Sequence, residues 1–194
     1  MFWKFALRFF IGAGLLFLYF FWWYLSRQQK PLAPKRQQLS PLFLNLWGRL
    51  TLFCTTIILF QILGYVLWPI SLPSSLTEGV VRIAGLLCFA AGGAIAVWGR
   101  TSLGRSWADD IGLRKEHHLV TSGAYRYFRH PIYLGVSLVP LGAELALASW
   151  FFLLTIPIAL MLHQLAKKEE ALLKGRFGAE YLDYEKQVGR IPRK

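Results

Sequence analysis

Two short polar clusters flank the longest apolar stretch of the chain. Residues 119–133, LVTSGAYRYFRHPIY, gather Tyr125, Arg126, Arg129, His130 and Tyr133. Glu169 and Glu170 follow a long apolar stretch. Pro131 directly follows the Arg129–His130 pair and suits the first turn of a helix. Arg129 and His130 are therefore expected at a helix N-terminus. Cationic side chains beside free backbone N–H groups there can hold an anion such as a carboxylate or phosphate. Arginines that only touch lipid headgroups would account for Arg126 and Arg129, but not for the added His and two Tyr. Glu170 has an i,i+4 partner in Lys174, whereas Glu169 has only Lys167 and Lys168 beside it.

The elements that must position these groups are membrane helices. The chain has 194 residues, 55% of them hydrophobic, with a mean hydropathy of +0.42, above a typical soluble domain. Apolar stretches run over residues 5–25, 46–70, 80–98 and 132–166. A bilayer crossing takes about 20 helical residues. The last stretch would span roughly 50 Å as one helix, so it is read as two antiparallel helices joined at 140–149, where Pro140, Gly142 and Glu144 offer a break. The expected fold is an all-α integral membrane protein with five transmembrane helices. The last two form a helical hairpin, followed by a C-terminal helical tail. The 5–25 stretch carries no small-residue cleavage site, and its basic flank RQQKPLAPKR marks it as a membrane helix and not a signal peptide.

Charge sets the orientation. With alternating ends, all of the 22 Lys and Arg except Lys4, Arg8 and Arg82 fall on one side. The positive-inside rule makes that side cytoplasmic. The N-terminus is then outside, and the 99–131 loop and C-terminus are cytoplasmic. The net charge of +12 is topology plus attraction to anionic lipid, and no nucleic-acid partner is expected, because the cations flank apolar spans. Trp22, Trp23, Tyr24, Trp47, Trp68 and Trp98 lie near span ends, as an aromatic belt would.

Cys54 and Cys88 lie in apolar spans without metal-ligand spacing, so no metal site is expected. Gly85, Cys88, Gly92 and Ala96 share one helical face, where small residues let a neighbouring helix come close. Gln61 and His163 are read as interhelical hydrogen-bond partners. The chain reads as one domain: residues 1–79 carry the first two spans, and 80–194 the third span, loop, hairpin and tail.

The order GAYRYFRHPIYLG, two apolar segments, then EEALLKGRFGAEYLDYEKQVGRIP resembles the isoprenylcysteine carboxyl methyltransferase family. That wider group includes prokaryotic membrane methyltransferases and phospholipid methyltransferases. The resemblance covers about residues 80–194. RHPxY, the Glu pair and FGxxYxxY at these distances make it specific. It implies an S-adenosylmethionine-dependent methyltransferase acting on a lipophilic acceptor at the cytosolic face, either an isoprenylcysteine-type carboxylate or another lipophilic substrate. His118, Leu119 and Val120 match the adenine-contacting strip. Tyr125, Arg129, His130, Tyr133 and Glu169 or Glu170 match the cofactor and catalytic pocket, and Arg190 a tail position. The implied catalytic set is Arg129, His130, Glu169 and Glu170.

In that setting Arg129 or His130 can hold the cofactor's carboxylate by charge-assisted bonds. A Glu of the 169–170 pair can accept from its ribose or ammonium. No GxGxxG follows a strand, so a soluble dinucleotide-type domain is absent. The alternative enzyme class is an NADPH-dependent membrane sterol or enone reductase, whose RHPNY motif differs here by Ile132 in place of Asn.

Overall fold

Glycines at intervals of seven decide how the two central helices meet. The computed structural model describes residues 2–28, 41–65, 68–70, 74–104 and 119–190. Helix α1 covers Phe2–Gln28, α2 Pro41–Ile62 and α3 Ser75–Leu103; α4 covers Pro131–Leu147, α5 Thr155–Phe177 and α6 Ala179–Gln187. Helices α3 and α4 lie backbone to backbone. A Cβ on Gly85 would stand 2.8 Å from the carbonyl oxygen of Gly142, and one on Gly142 would stand 2.7 Å from that of Gly85. A Cβ on Gly135 would sit 2.6 Å from the Gly92 oxygen. Lipid supplies no hydrophobic drive for helix association, so close van der Waals approach must supply it. The small-residue face expected at Gly85, Gly92 and Ala96 is this contact.

Around that pair, Leu7 and Ile11 of α1, Ile58 of α2, Phe89 of α3 and Ala143, Ala146 and Leu147 of α4 form the main core. Outward, Phe5, Phe9, Phe17 and Tyr19 of α1 and Leu87 of α3 are exposed. Apolar surface this extensive suits lipid and not water. Among the described residues, three helices are long and apolar enough to cross a membrane: Trp3–Arg27, Ser75–Leu103 and Trp150–Phe177. Leu52–Ile62 and Pro131–Leu147 are shorter apolar helices. The protein is an all-helical integral membrane protein. Among the described residues the only β pairing is an isolated bridge, Pro69 to Ser149.

Boundaries differ from the sequence expectation in three places. The second apolar stretch ends as a helix at Ile62, and Gly64 turns the chain with φ 113°. The third helix is longer than its apolar stretch. Ser74 caps it by accepting from the Thr77 N–H at 3.1 Å, and it continues to Leu103. The expected break at Pro140, Gly142 and Glu144 does not occur. Helix α4 runs through Pro140 to Leu147, and the chain turns at Ala148, φ 52°, and Ser149. Proline is tolerated inside an apolar helix when its neighbours compensate the lost backbone bond. Gly142 is a contact site for α3, and Glu144 is bonded to α2, so neither is a breaker. A 3-10 turn, Trp150–Leu154, then leads into α5.

Candidate active site

Pro131 stands at the first turn of α4 and His130 is its N-cap, as the sequence implied. The preceding segment is held by a second short-range device. Gly123 (φ 62°) opens a 3-10 turn, Gly123–Arg126, and the Ser102 hydroxyl of α3 accepts from the Ala124 N–H at 3.1 Å. The segment is thus tied to the end of α3. From the other side, α5 returns along α4 and carries Glu169 and Glu170 to the same corner.

Glu170 is the hub. Its side chain is 5% exposed. Oε1 accepts from Arg190 Nε at 2.8 Å, faces His130 Nε2 at 3.0 Å and lies 3.4 Å from Arg129 Nη1. Oε2 accepts from Arg190 Nη2. This carboxylate therefore joins α4, α5 and the chain after α6. Removing one member of such a buried charge set leaves the others uncompensated. Arg129 is also engaged with the tail. Its Nη1 donates to Glu185 at 2.6 Å, and its backbone N–H donates to the Gly189 carbonyl at 3.1 Å.

Glu169 differs from its neighbour. Its side chain is 38% exposed and lies 3.5 Å from His130 Nδ1. Its charge acts on Tyr125 and Tyr133. The imidazole of His130 stacks on Tyr133, with ring centroids 5.4 Å apart and planes at 6°. Burial works to lower the His130 pKa, but Glu169 and Glu170 outweigh it and the net shift is upward. The two carboxylates thus favour the protonated form of His130. Burial, and then the Glu169 charge, push the Tyr125 phenol upward. Tyr125 is half-buried, and its carbonyl accepts from the Tyr184 hydroxyl at 2.7 Å. Burial pushes Tyr184 up to about 12, against the opposing charge of Arg129. It remains a donor at physiological pH.

Tyr181, Tyr184 and Val188 form a small core with Leu119, Leu173 and Phe177 around it. Leu119 is thus packed against the tail, and Val120 beside it is half-buried. His118 lies outside the described residues. Arg126 is exposed and stands apart from the hub. The Lys174–Glu170 pairing that helical spacing allows is not formed. Lys174 Nζ lies 2.8 Å from Glu185 Oε2 instead. Lys174, aided by Arg129, holds Glu185 below the usual carboxylate range against the opposing effect of burial.

Sequence reasoning missed Glu185 and Arg100. Glu185 offers no signal in sequence, since its partners are 11 and 56 positions away. Arg100, near the end of α3, is 1% exposed, with Cζ 5.9 Å from the Trp22 ring, and its charge acts on Tyr125. Its one signal is a charged residue just inside the end of an apolar helix.

Beneath the polar corner lies an apolar cavity of about 220 Å³. Leu15, Trp22, Cys54, Ile58, Val136 and Pro140 are among its walls. Val136 is one turn after Tyr133, and Ala96, another wall residue, is one turn before Arg100. Cavity and corner are therefore adjacent. No group of His, Cys, Asp and Glu able to hold a metal occurs among the described residues.

Residues 80–180 match the family model described as phospholipid methyltransferase. Among curated relatives, protein-S-isoprenylcysteine O-methyltransferase of Schizosaccharomyces pombe is 38% identical over 76 residues, covering 38% of this chain and 32% of that protein. Protein-S-isoprenylcysteine O-methyltransferase A of Arabidopsis thaliana is 30% identical over 134 residues, covering 67% of this chain and 68% of that protein. The match to the Tribolium castaneum enzyme spans 27% of its length, so this chain matches only about a third or less of some relatives. A solved structure of the eukaryotic intramembrane Ras methyltransferase, an isoprenylcysteine carboxyl methyltransferase, is similar at TM-score 0.49 and 22% identity, covering 79% of this chain and 53% of that one.

Proposed function

The chain belongs to the phospholipid methyltransferase family, on its isoprenylcysteine O-methyltransferase side, and from that premise we propose that it transfers a methyl group from S-adenosylmethionine to a lipophilic acceptor at the cytoplasmic membrane face. In this reading the whole chain is one domain with five membrane helices, α4 and α5 forming a hairpin, the N-terminus outside and the C-terminus cytoplasmic. The carrying observation is the meeting of Arg129 and His130 at the start of α4 with Glu169 and Glu170 late in α5, 39 or more positions on in sequence.

The donor fits the residues present. When bound, it supplies an electrophilic methyl on a sulfonium, which departs as a neutral thioether. Glu169 is the carboxylate of the pair left accessible, and with the Tyr125 and Tyr133 rings it forms an anionic, aromatic wall suited to a cationic centre or an ammonium. Glu170 acts as a positioning residue. It fixes His130, Arg129 and Arg190 and thereby sets where the loop and tail stand. His130 presents a positive edge for a carboxylate. Arg129, engaged with two carboxylates, is assigned to positioning and not to direct cofactor contact. Leu119 and Val120 offer backbone groups for a flat base, and His118 belongs to the same strip. Arg100, one turn after the cavity-lining Ala96 and acting electrostatically on Tyr125, can orient an anionic acceptor head.

Catalysis in this scheme rests on alignment and exclusion of water, because the leaving group needs no general acid. The acceptor's tail occupies the apolar cavity. The test is calorimetric binding of S-adenosylhomocysteine to the purified full chain. Micromolar binding, lost in Glu169→Ala and unaffected by excess NADPH, supports the reading. Binding of NADPH in its place would reverse it to the reductase class. Labelled methyl transfer into a total membrane lipid extract then identifies the acceptor.

A further inference from the structure

Gln61 and Glu144 form a polar contact deep among apolar helices. They are 0% and 4% exposed, and Gln61 Nε2 donates to both Glu144 carboxylate oxygens at 3.1 and 2.9 Å. Polar groups buried so completely are costly unless paired, and they mark a task or a lock. Their placement relative to the cavity indicates the task. Cys54 and Ile58 of α2 line the cavity, and Gln61 continues the same helical face one turn further on. Val136 and Pro140 of α4 line it too, and Glu144 is one turn beyond Pro140. At the opposite end stands the polar corner, one turn before Val136. Gln61 and Glu144 do not line the cavity themselves; they lie one turn beyond its apolar walls on α2 and α4, at the end away from the corner, where they can serve as the polar floor of a slot.

We infer that the Gln61–Glu144 pair sets the maximum length of the acceptor's hydrocarbon tail. The inference rests on the methyltransferase reading of the corner, because it takes the acceptor's reactive end to lie there. A tail entering from the corner gains by burying each methylene against Leu15, Ile58 or Val139. At the floor the gain stops. A further methylene would have to part the buried Gln61 amide from the Glu144 carboxyl and leave the amide without that partner. The pair also ties α2 to α4, so the wall and the floor of the slot are set by one contact. Volume at position 61, more than charge at 144, should then decide the limit.

The experiment uses the full chain in lipid nanodiscs with a series of S-alkyl-N-acetylcysteines, lengthened stepwise in saturated carbon chain. Binding is read as stabilisation against thermal unfolding, which follows occupancy without requiring turnover. In the wild type, affinity should rise by about fourfold per methylene and then stop at a defined length. Gln61→Ala and Gln61→Ser should move that stop to longer chains, with shorter chains binding as before. Glu144→Gln, which keeps the volume, should leave the stop where it is. Gln61→Ser retains a hydrogen-bonding group and guards against misfolding of the alanine variant. An identical stop in all variants, a continuous rise in the wild type, or no stabilisation by any chain would overturn the inference. S-adenosylhomocysteine binding on the same samples separates the two readings. If it persists while the length limit fails to move, the floor is wrong and the corner stands. If it is missing in the wild type, the corner reading itself has failed.

Discussion

The α3–α4 contact and the charged corner are both densely packed, but opposite means hold them. Between α3 and α4 the backbones touch because Gly85, Gly92, Gly135 and Gly142 have no side chains to intervene. At the corner, beyond one backbone bond from Arg129 to Gly189, long charged side chains make the connections. Glu170 alone engages residues from α4 and from the end of the tail. The difference follows from solvent. In hydrocarbon, shape is the available attraction. At the membrane surface, charge can be used, provided each buried ion has its partner. A region built on shape is rigid and tolerates no added volume. A region built on charge can be opened by removing one group, and it is where a charged ligand can be exchanged.

The sharpest way to break the comparison is Glu170→Ala. It leaves His130, Arg129 and Arg190 facing one another, a loss on the order of 3–5 kcal/mol for a buried ion set. S-adenosylhomocysteine binding should fall by at least a hundredfold, while circular dichroism shows the helices intact. Intact binding would mean that the corner is not the site. Next comes Gly142→Leu, which forces a side chain into the α3 backbone. Overpacking of this kind costs about 1–3 kcal/mol. Thermal unfolding in detergent should drop by several degrees, and an unchanged midpoint would show that the close crossing is dispensable.

The pH response sharpens the comparison further. The His130 pKa lies above its unfolded value of about 6.5. Its contribution is therefore complete below that pH and is lost as pH rises through the folded value. Wild-type stability should decline on the alkaline side, and His130→Asn should flatten that decline, measured as unfolding midpoints between mildly acidic and alkaline buffers. The smallest effect belongs to Lys174→Ala, whose side chain is 42% exposed at its ion pair with Glu185. Exposed pairs contribute about 0–1 kcal/mol, so cofactor-analogue binding should change by less than about threefold in a titration. A larger loss would make Lys174 part of the site.

Much of this architecture is visible in the chain itself. Hydropathy places the apolar helices, and Pro131 marks the start of α4 because it cannot continue a preceding helical turn. The seven-residue spacing of Gly85 and Gly92 marks the face that meets a neighbour. The candidate cluster is also legible, since Arg129, His130 and the Glu pair interrupt apolar sequence where an ion is expensive. Local rules failed at Pro140, which reads as a breaker but is absorbed by the packed helix around it. They failed again at Lys174, whose helical spacing favoured Glu170 over its actual partner Glu185.

Sequence alone determined which residues are apolar, where helices begin, and which ionisable groups stand out against that background, because those properties depend on composition and short-range geometry. The tertiary structure decided that Glu170 is enclosed by His130, Arg129 and Arg190 while Glu169 stays accessible, that Arg100 is buried where its charge acts on Tyr125, and that Gln61 meets Glu144. Each of these depends on which helix faces which, and that is settled by close packing between segments far apart in the chain.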